Sequence, residues 1–317
     1  MIDLKPLTEQ RMAEHHIISK WQEGPPRVSI LCSTYRHAAF IRDALDGYLA
    51  QQTTFPFEIL VRDDASDDGT SDIVRDYAAR YPNIIRSFIE RKNRFAETVS
   101  FPILAPKSRG EYVITAAGDD YWTDVTKLAR QVAVLDSQPS AAACFHDAWK
   151  LNQTDFEFSP AAMVRHSVSA RKWVRNPSLP IQTLMFRNIV RALPNFVPRI
   201  LNVDTFLQAI LASTGDAVYD NHIKPSVYRV HSSGAWSGLD EQQRAPYAAE
   251  TFYWIAHHFS QVGNRRVARR YLFLAAQELL ESHRGLGLDP RGYSAIRLSP
   301  PYSWIKDCRR SVRGQRA

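Results

Sequence analysis

From Arg27 onward the sequence alternates short runs rich in β-branched residues with longer segments whose apolar residues recur at helical spacing. That alternation restricts the chain to βα units and a mostly parallel sheet flanked by helices, because parallel strands can be joined only through long crossovers. The spacing predicts strands over 28–33, 57–62, 84–89, 112–116 and 141–145. Helices are predicted over 38–51, 70–81, 95–106 and 125–137, the last capped by Thr123 or Asp124. Between 152 and 180 the rhythm stops, and Pro160, Pro177 and Pro180 stand among aromatic and basic residues. A stretch that long reads as an excursion across the functional face. Beyond it come a helix over 200–212, a strand over 226–230, and two amphipathic helices over 241–261 and 264–282 that form a hairpin. The expected organisation is an N-terminal extension over 1–25, an α/β domain over 26–238, and a helical appendage with a basic tail over 239–317.

With 44% hydrophobic and 23% charged residues, the chain has the apolar mass for a large core. Its three cysteines, Cys32, Cys144 and Cys308, are widely spaced and form no CxxC, so neither a disulfide framework nor structural zinc is expected. The charged N-terminus lacks a secretory apolar core, and no run reaches the ~18 apolar residues that mark a membrane span. A cytoplasmic protein is expected, with peripheral attachment to the cytoplasmic membrane face as an option. The formal charge of +7 favours polyanionic partners. Much of the excess falls late, at Arg265, Arg266, Arg269 and Arg270 and then Lys306, Arg309 and Arg310. Beside Trp304, the last three suggest contact with an anionic membrane.

In an open parallel sheet, ligands collect at the carboxyl ends of the strands. Three predicted strands end in polar or acidic residues: Ser33-Thr34-Tyr35, Asp63–Thr70, and Gly118-Asp119-Asp120-Tyr121-Trp122. Adjacent carboxylates raise each other's pKa unless a cation sits between them, so Asp119-Asp120 is a candidate Mg²⁺ or Mn²⁺ site, with Gly118 allowing a ligand near the backbone. In the 63–70 segment, Ser66 or Asp68 suits a helix cap, while Asp64 can accept a hydrogen bond from the N–H of a uracil, thymine or guanine base. There is no GxxxxGK loop and no GxGxxG after the first strand, which argues against P-loop and nicotinamide enzymes.

The segments VSILCSTYRHAAFIRDAL, FEILVRDDASDDGTSDIV and GEYVITAAGDDYWTDVTKLARQV resemble, in order and spacing, the catalytic domain of family 2 glycosyltransferases. LPIQTLMFRN and YRVHSSGAWSG extend the resemblance to 26–238. It implies a GT-A fold, a nucleotide-diphosphate-sugar donor carrying UDP, dTDP or GDP, a divalent cation (Mn²⁺ or Mg²⁺), and inversion at the anomeric carbon. Carried over by position, Ser33 and Tyr35 line the nucleotide pocket, Asp64 holds the base, Asp119 binds ribose or metal, Asp120 binds metal, and His231 joins the metal or diphosphate. Asp204, in LNVDTFLQAILA, matches the catalytic base, although Val203 and Thr205 replace the familiar Gly and Trp around it. Asp216 and Asp220 are the alternatives. A lone Asp before a helix is also a natural N-cap.

Trp122 and Arg175 are assigned to the acceptor side, Trp122 either stacking on a sugar or wedging helix against sheet. Arg229 receives no role in the chemistry, and His146-Asp147 is read as structural. The basic and aromatic residues of the excursion, among them Arg165, His166, Arg171, Lys172 and Trp173, suit a saccharide or lipid-linked acceptor bearing negative charge. UDP-sugars are the favoured donors and cell-surface polysaccharide or lipopolysaccharide synthesis the expected setting, with no nucleic-acid partner. Two rivals fit less well. A sugar-nucleotide-forming nucleotidyltransferase would open with a glycine-rich loop, where this chain has CSTYRHAA. A basic saccharide- or nucleic-acid-binding scaffold leaves the strand-end acids unexplained, since carboxylates repel a phosphate backbone.

Overall fold

The computed structural model describes residues 4–94, 98–161, 164–189, 193, 200, 202–231 and 239–284. The chain divides into two compact units, Met1–Gly238 and Leu239–Ala317. In the first, β1 (Val28–Thr34), β2 (Phe57–Asp63), β3 (Ile85–Ile89), β4 (Tyr112–Ala117) and β5 (Ala141–Phe145) fall where the sequence predicts strands. Shorter strands follow: β6 (Ala148–Asn152), β7 (Phe158–Pro160), β8 (Met185–Arg187), β9 (Asp216–Tyr219) and β10 (Ser226–Val230). The helices are α1 (Glu14–Ile18), α2 (Ile41–Leu49), α3 (Thr70–Arg80), α4 (Phe101–Leu104), α5 (Lys127–Ser137), α6 (Ala170–Trp173) and α7 (Val203–Leu211).

The main sheet runs β3-β2-β1-β4-β8-β5-β9. β1 is parallel to β2 on one side and β4 on the other, with Thr34 level with Asp63 and Ser33 level with Ala117. The chain builds outward from β1 through β2 to β3, then returns to add β4 on β1's other flank. At that reversal the loops after β1 and β4 diverge and open a crevice at the carboxyl edge. β2 is buried along its whole length and β1 everywhere but Ser33, which explains the unbroken apolar triplets Ile59-Leu60-Val61 and Ile30-Leu31-Cys32 at their centres. β8 enters antiparallel between β4 and β5, so the sheet is mixed although mostly parallel.

The 152–180 excursion contains β7 and α6. β6 and β7 form an antiparallel hairpin, and β10 pairs parallel to β6 to complete a second sheet, β10-β6-β7. The predicted 95–106 helix shrinks to α4 and a following 3₁₀ turn at Ala105–Lys107. Residues 4–25, set apart in the sequence as an extension, pack on the same unit. Ile17 joins the core, Arg11 reaches Asp46 and Tyr77 at 3.0 Å each, and the Tyr121 hydroxyl donates to Leu4 O.

The second unit contains α8 (Glu241–Gln261) and α9 (Arg265–Arg284), joined through Gly263 and packed together with Phe252 against Tyr271. Asp240 and Gln243 form a reciprocal capping box at the start of α8. Trp304, Lys306, Arg309 and Arg310, with the membrane contact expected of them, lie outside the described residues. Among the described residues, no helix is long and apolar enough to cross a membrane.

Candidate active site

At the carboxyl edge of β1, β2 and β4 lies a cavity of about 550 Å³. Ser33, Tyr35, Asp64, Asp119, Asp120 and Asp204, each singled out from sequence, all line it. Sequence separations of up to 171 positions are thus brought to one chamber by the switch point and by α7.

Asp64 follows β2 and is 5% exposed. Its Oδ1 accepts from Arg62 Nη2 at 2.8 Å and from the Arg94 backbone N–H at 3.0 Å. Both bonds fall on Oδ1, so Oδ2 is the oxygen available to a ligand. Arg62 is itself buried, with Nε on Glu90 and Nη1 on Ser100, so the carboxylate is held rigidly. Neighbouring Asp63 takes no part in the cavity: it accepts from Ser66 and Ser71 and folds the loop beneath.

The two carboxylates after β4 have different fates. Asp120 is buried, and its Oδ1 accepts from the Arg229 backbone N–H at 3.0 Å. Burial, and next the charge of Asp119, push its carboxyl well above the usual range, which Arg229 offsets only in part. For Asp119, burial also acts upward, but the bond from His231 and the nearby imidazoles prevail and hold it below the usual range. Its Oδ2 lies 3.0 Å from His231 Nε2 and 3.5 Å from His37 Nε2. Burial lowers the pKa of His37 and favours its neutral form, the form that ligates metals. The ligand atoms of His37, Asp119 and His231 all fall within 4.8 Å of one another, so two imidazoles and a carboxylate fit a divalent cation in both spacing and chemistry.

The second sheet sets this arrangement. Tyr121 and Val227 exchange backbone hydrogen bonds, and Thr123 Oγ1 donates to Pro225 O, fastening the turn after β4 to β10. Arg229, given no role from sequence, lies in the centre of the junction. Its Nη1 donates to Asp119 O at 2.9 Å, it pairs with Asp43, and its guanidinium packs over Tyr121 and Phe40. Sequence reading also passed over His37, two residues past Tyr35. The signal was its place in a strand-end loop, visible only once β1 and β4 are neighbours. Gly118 is needed for a different reason from ligand approach: a Cβ there would stand 2.7 Å from Thr34 Oγ1 and from Ile41 Cδ1.

Asp204 is not the cap of α7. Asn202 takes that position and accepts from Thr205 N–H, leaving the Asp204 carboxyl for the cavity, where burial raises its pKa to about 6. Asp216 instead accepts from Ala170 N–H at the start of α6, and Asp220 holds Arg130 and His222 N–H; neither lines the cavity. Trp122 is 2% exposed, packed on Tyr48 and beneath the Lys127 ammonium, so it wedges α2 and α5 onto the sheet and offers no face to an acceptor. Arg175 is exposed just after α6 and is not part of the cavity lining. His146 is buried without a partner at either ring nitrogen, while Asp147 binds Tyr219 and Arg165; the adjacent pair forms no dyad. Ser232–Gly238, the end of YRVHSSGAWSG, lies outside the described residues.

The sequence model described as Glycosyl transferase family 2 matches residues 29–188. An uncharacterised protein of Mycobacterium tuberculosis is 34% identical over 230 residues, 68% of this chain and 62% of that protein. The chain thus spans less than two thirds of that relative's length. Validoxylamine A glucosyltransferase of Streptomyces hygroscopicus subsp. limoneus is 30% identical over 169 residues, 49% of this chain and 36% of its own. Among solved structures, S. aureus TarS 1–349 with UDP-GlcNAc superposes with TM-score 0.62 at 16% identity, covering 84% of this chain and 77% of that one. The mannosyltransferase PcManGT of Pyrobaculum calidifontis, with GDP-Man and Mn²⁺, gives 0.54 at 20%, covering 96% and 86%. At such identities the likeness is one of fold, the GT-A arrangement. The family match takes in half the chain, from β1 through β8 and so both acidic strand ends at the switch point, and the chain belongs to glycosyl transferase family 2.

Proposed function

We propose that the chain is an inverting glycosyltransferase that moves a sugar from a nucleotide-diphosphate donor, a UDP-sugar by preference, onto a hydroxyl of a saccharide or lipid-linked saccharide in cell-surface polysaccharide or lipopolysaccharide synthesis. The observation that carries this reading is the single cavity shared by Asp64, Asp119, Asp120 and Asp204. Its size is in the range that encloses a small ligand. Neighbours of the same fold hold UDP-GlcNAc and GDP-Man, which supports a nucleotide-sugar donor.

A preference for a uracil- or thymine-bearing donor over a guanine-bearing one rests on Asp64. With Oδ1 committed to Arg62 and Arg94, one oxygen remains for the base. Uracil and thymine offer a single ring N–H to it, whereas guanine offers an N–H and an adjacent amino group that would seek both carboxylate oxygens. In the transfer step, Asp204 accepts the proton of the acceptor hydroxyl. That oxygen forms the new bond to the anomeric carbon as the carbon–oxygen bond to the diphosphate breaks, its electron pair leaving with the nucleotide. A carboxyl with a pKa near 6 is mostly ionised at neutral pH yet basic enough to take that proton. Asp119 and His231, beside Asp120, are the residues that would hold a divalent cation, Mn²⁺ or Mg²⁺. Such an ion stabilises negative charge on a leaving diphosphate.

The test needs no acceptor. UDP-, dTDP- and GDP-sugars are titrated with and without Mn²⁺, and slow hydrolysis to free sugar is followed. Saturable binding and hydrolysis of a UDP-sugar is expected. Binding of none of the panel contradicts the enzyme reading, and preference for a GDP-sugar contradicts the reading of Asp64.

A further inference from the structure

The geometry points to His37 as a direct ligand of the cation, completing with His231 and Asp119 a set of two imidazoles and one carboxylate. This rests on the donor-binding reading above and specifies which atoms of this chain hold the ion and which ions they prefer.

Ligand atoms about 2.1 Å from a common ion stand roughly 3 Å apart. The Asp119 Oδ2 contacts at 3.0 and 3.5 Å match such edges, and the three ligand atoms close a triangle within 4.8 Å. His37 has no other evident use for its ring. Its Nδ1 is buried without a hydrogen-bond partner, and its Nε2 faces Asp119 at a distance long for a hydrogen bond. A buried imidazole so poorly satisfied calls for an explanation, and a cation opposite Nε2 provides one.

The ring is also fixed in advance. The His37 backbone N–H donates to Thr70 Oγ1, the Arg36 N–H to Ser66 Oγ, and the Ala38 N–H to Asp68 Oδ2, so three successive amides are held by the loop after β2. Phe40 packs against both imidazoles, 6.4 Å from His37 and 5.1 Å from His231, whose rings stand at 88° to each other. Beside this set, Asp120 lines the same cavity, with its Oδ1 on the Arg229 backbone N–H.

Two nitrogen donors favour Mn²⁺ over Mg²⁺ and Ca²⁺, which prefer oxygen. The test is Mn²⁺ alone, titrated into the full chain and followed by electron paramagnetic resonance. Spin-echo modulation counts the coupled imidazole nitrogens. Two coupled imidazoles are expected in the wild type and one in His37→Gln. Mn²⁺ affinity should fall by about tenfold or more in that variant, since even the loss of a residue that only supports a ligand costs 10–100-fold. His37→Asp guards against misfolding, because replacing nitrogen by oxygen should shift the Mn²⁺/Mg²⁺ affinity ratio toward Mg²⁺, and a ratio does not depend on the folded fraction. Unchanged affinity and two nitrogens in His37→Gln overturns the assignment. That result leaves sugar-nucleotide binding by the wild type standing as a separate question.

Discussion

Asp204 owes its availability to its neighbour. With Asn202 Oδ1 accepting from Thr205 N–H and Oγ1, the start of α7 is capped without it. A carboxylate in the first helical turn is normally stabilised by the helix dipole, yet desolvation prevails here and raises its pKa to about 6. A carboxyl whose folded pKa exceeds its unfolded value favours folding most below the unfolded value, near 4, and loses that contribution as pH climbs through about 6. Asp204→Asn should therefore raise the unfolding free energy more at pH 8 than at pH 4, by on the order of 2 kcal/mol, as read by urea denaturation at the two values. A gain that is the same at both would contradict a half-buried carboxyl that ionises with its pKa raised by desolvation. At this scale the acids were legible in the sequence because Asp64, Asp119 and Asp204 stand at element ends, where a local pattern reveals them. His37 and Arg229 were not, since their roles exist only across strands distant in sequence. For Trp122 the sequence leaves two readings open, because nothing local separates an exposed aromatic from one covered by Tyr48 and Lys127.

Among elements, the loop after β2 does the most positioning. Gly69 adopts φ +96°, a left-handed conformation that suits glycine, and this turns the chain into α3 while Asp68 accepts from Thr70 N–H and Ala38 N–H. The acidic run 63–68 thus divides its work: Asp64 faces the cavity, and Asp63, Ser66 and Asp68 hold the loops that carry Tyr35 and His37. Removing one support should be felt at the other end. Asp68→Ala is expected to lose about 1 kcal/mol of stability in chemical denaturation, the usual effect of losing a helix-terminus acceptor. It should also weaken Mn²⁺ binding by the full chain although Asp68 touches no proposed ligand ring. A stability loss with Mn²⁺ affinity intact would show that the β1 loop keeps its shape unaided. Long buried strands such as β1 and β2 were readable from their apolar runs. β8, with only Met185–Arg187, was not, because three residues carry no measurable alternation and its place is decided by β4 and β5 on either side. The same brevity concealed β7 and β9.

For the sheet-bearing unit as a whole, the reversal of strand order at β1 and β4 provides the crevice, and the bonds joining Tyr121 and Asp120 to β10 bring His231 to its rim. The fold class was accessible from alternation alone, whereas the second sheet was not, because β6 and β7 are short and are held by pairing with each other and with β10, which is distant in sequence. A formal charge of +7 suits an anionic donor but does not identify one. The proposed function requires one cavity to bind a nucleotide sugar and present Asp204 to the attacking hydroxyl. Calorimetric donor binding and donor hydrolysis, measured side by side on the wild type and Asp204→Asn with the UDP-sugar that binds best, test it most directly. Unchanged binding is expected, with hydrolysis slower by about 10²–10⁴-fold, the usual contribution of a general base. Hydrolysis at the wild-type rate, with binding intact, would contradict it.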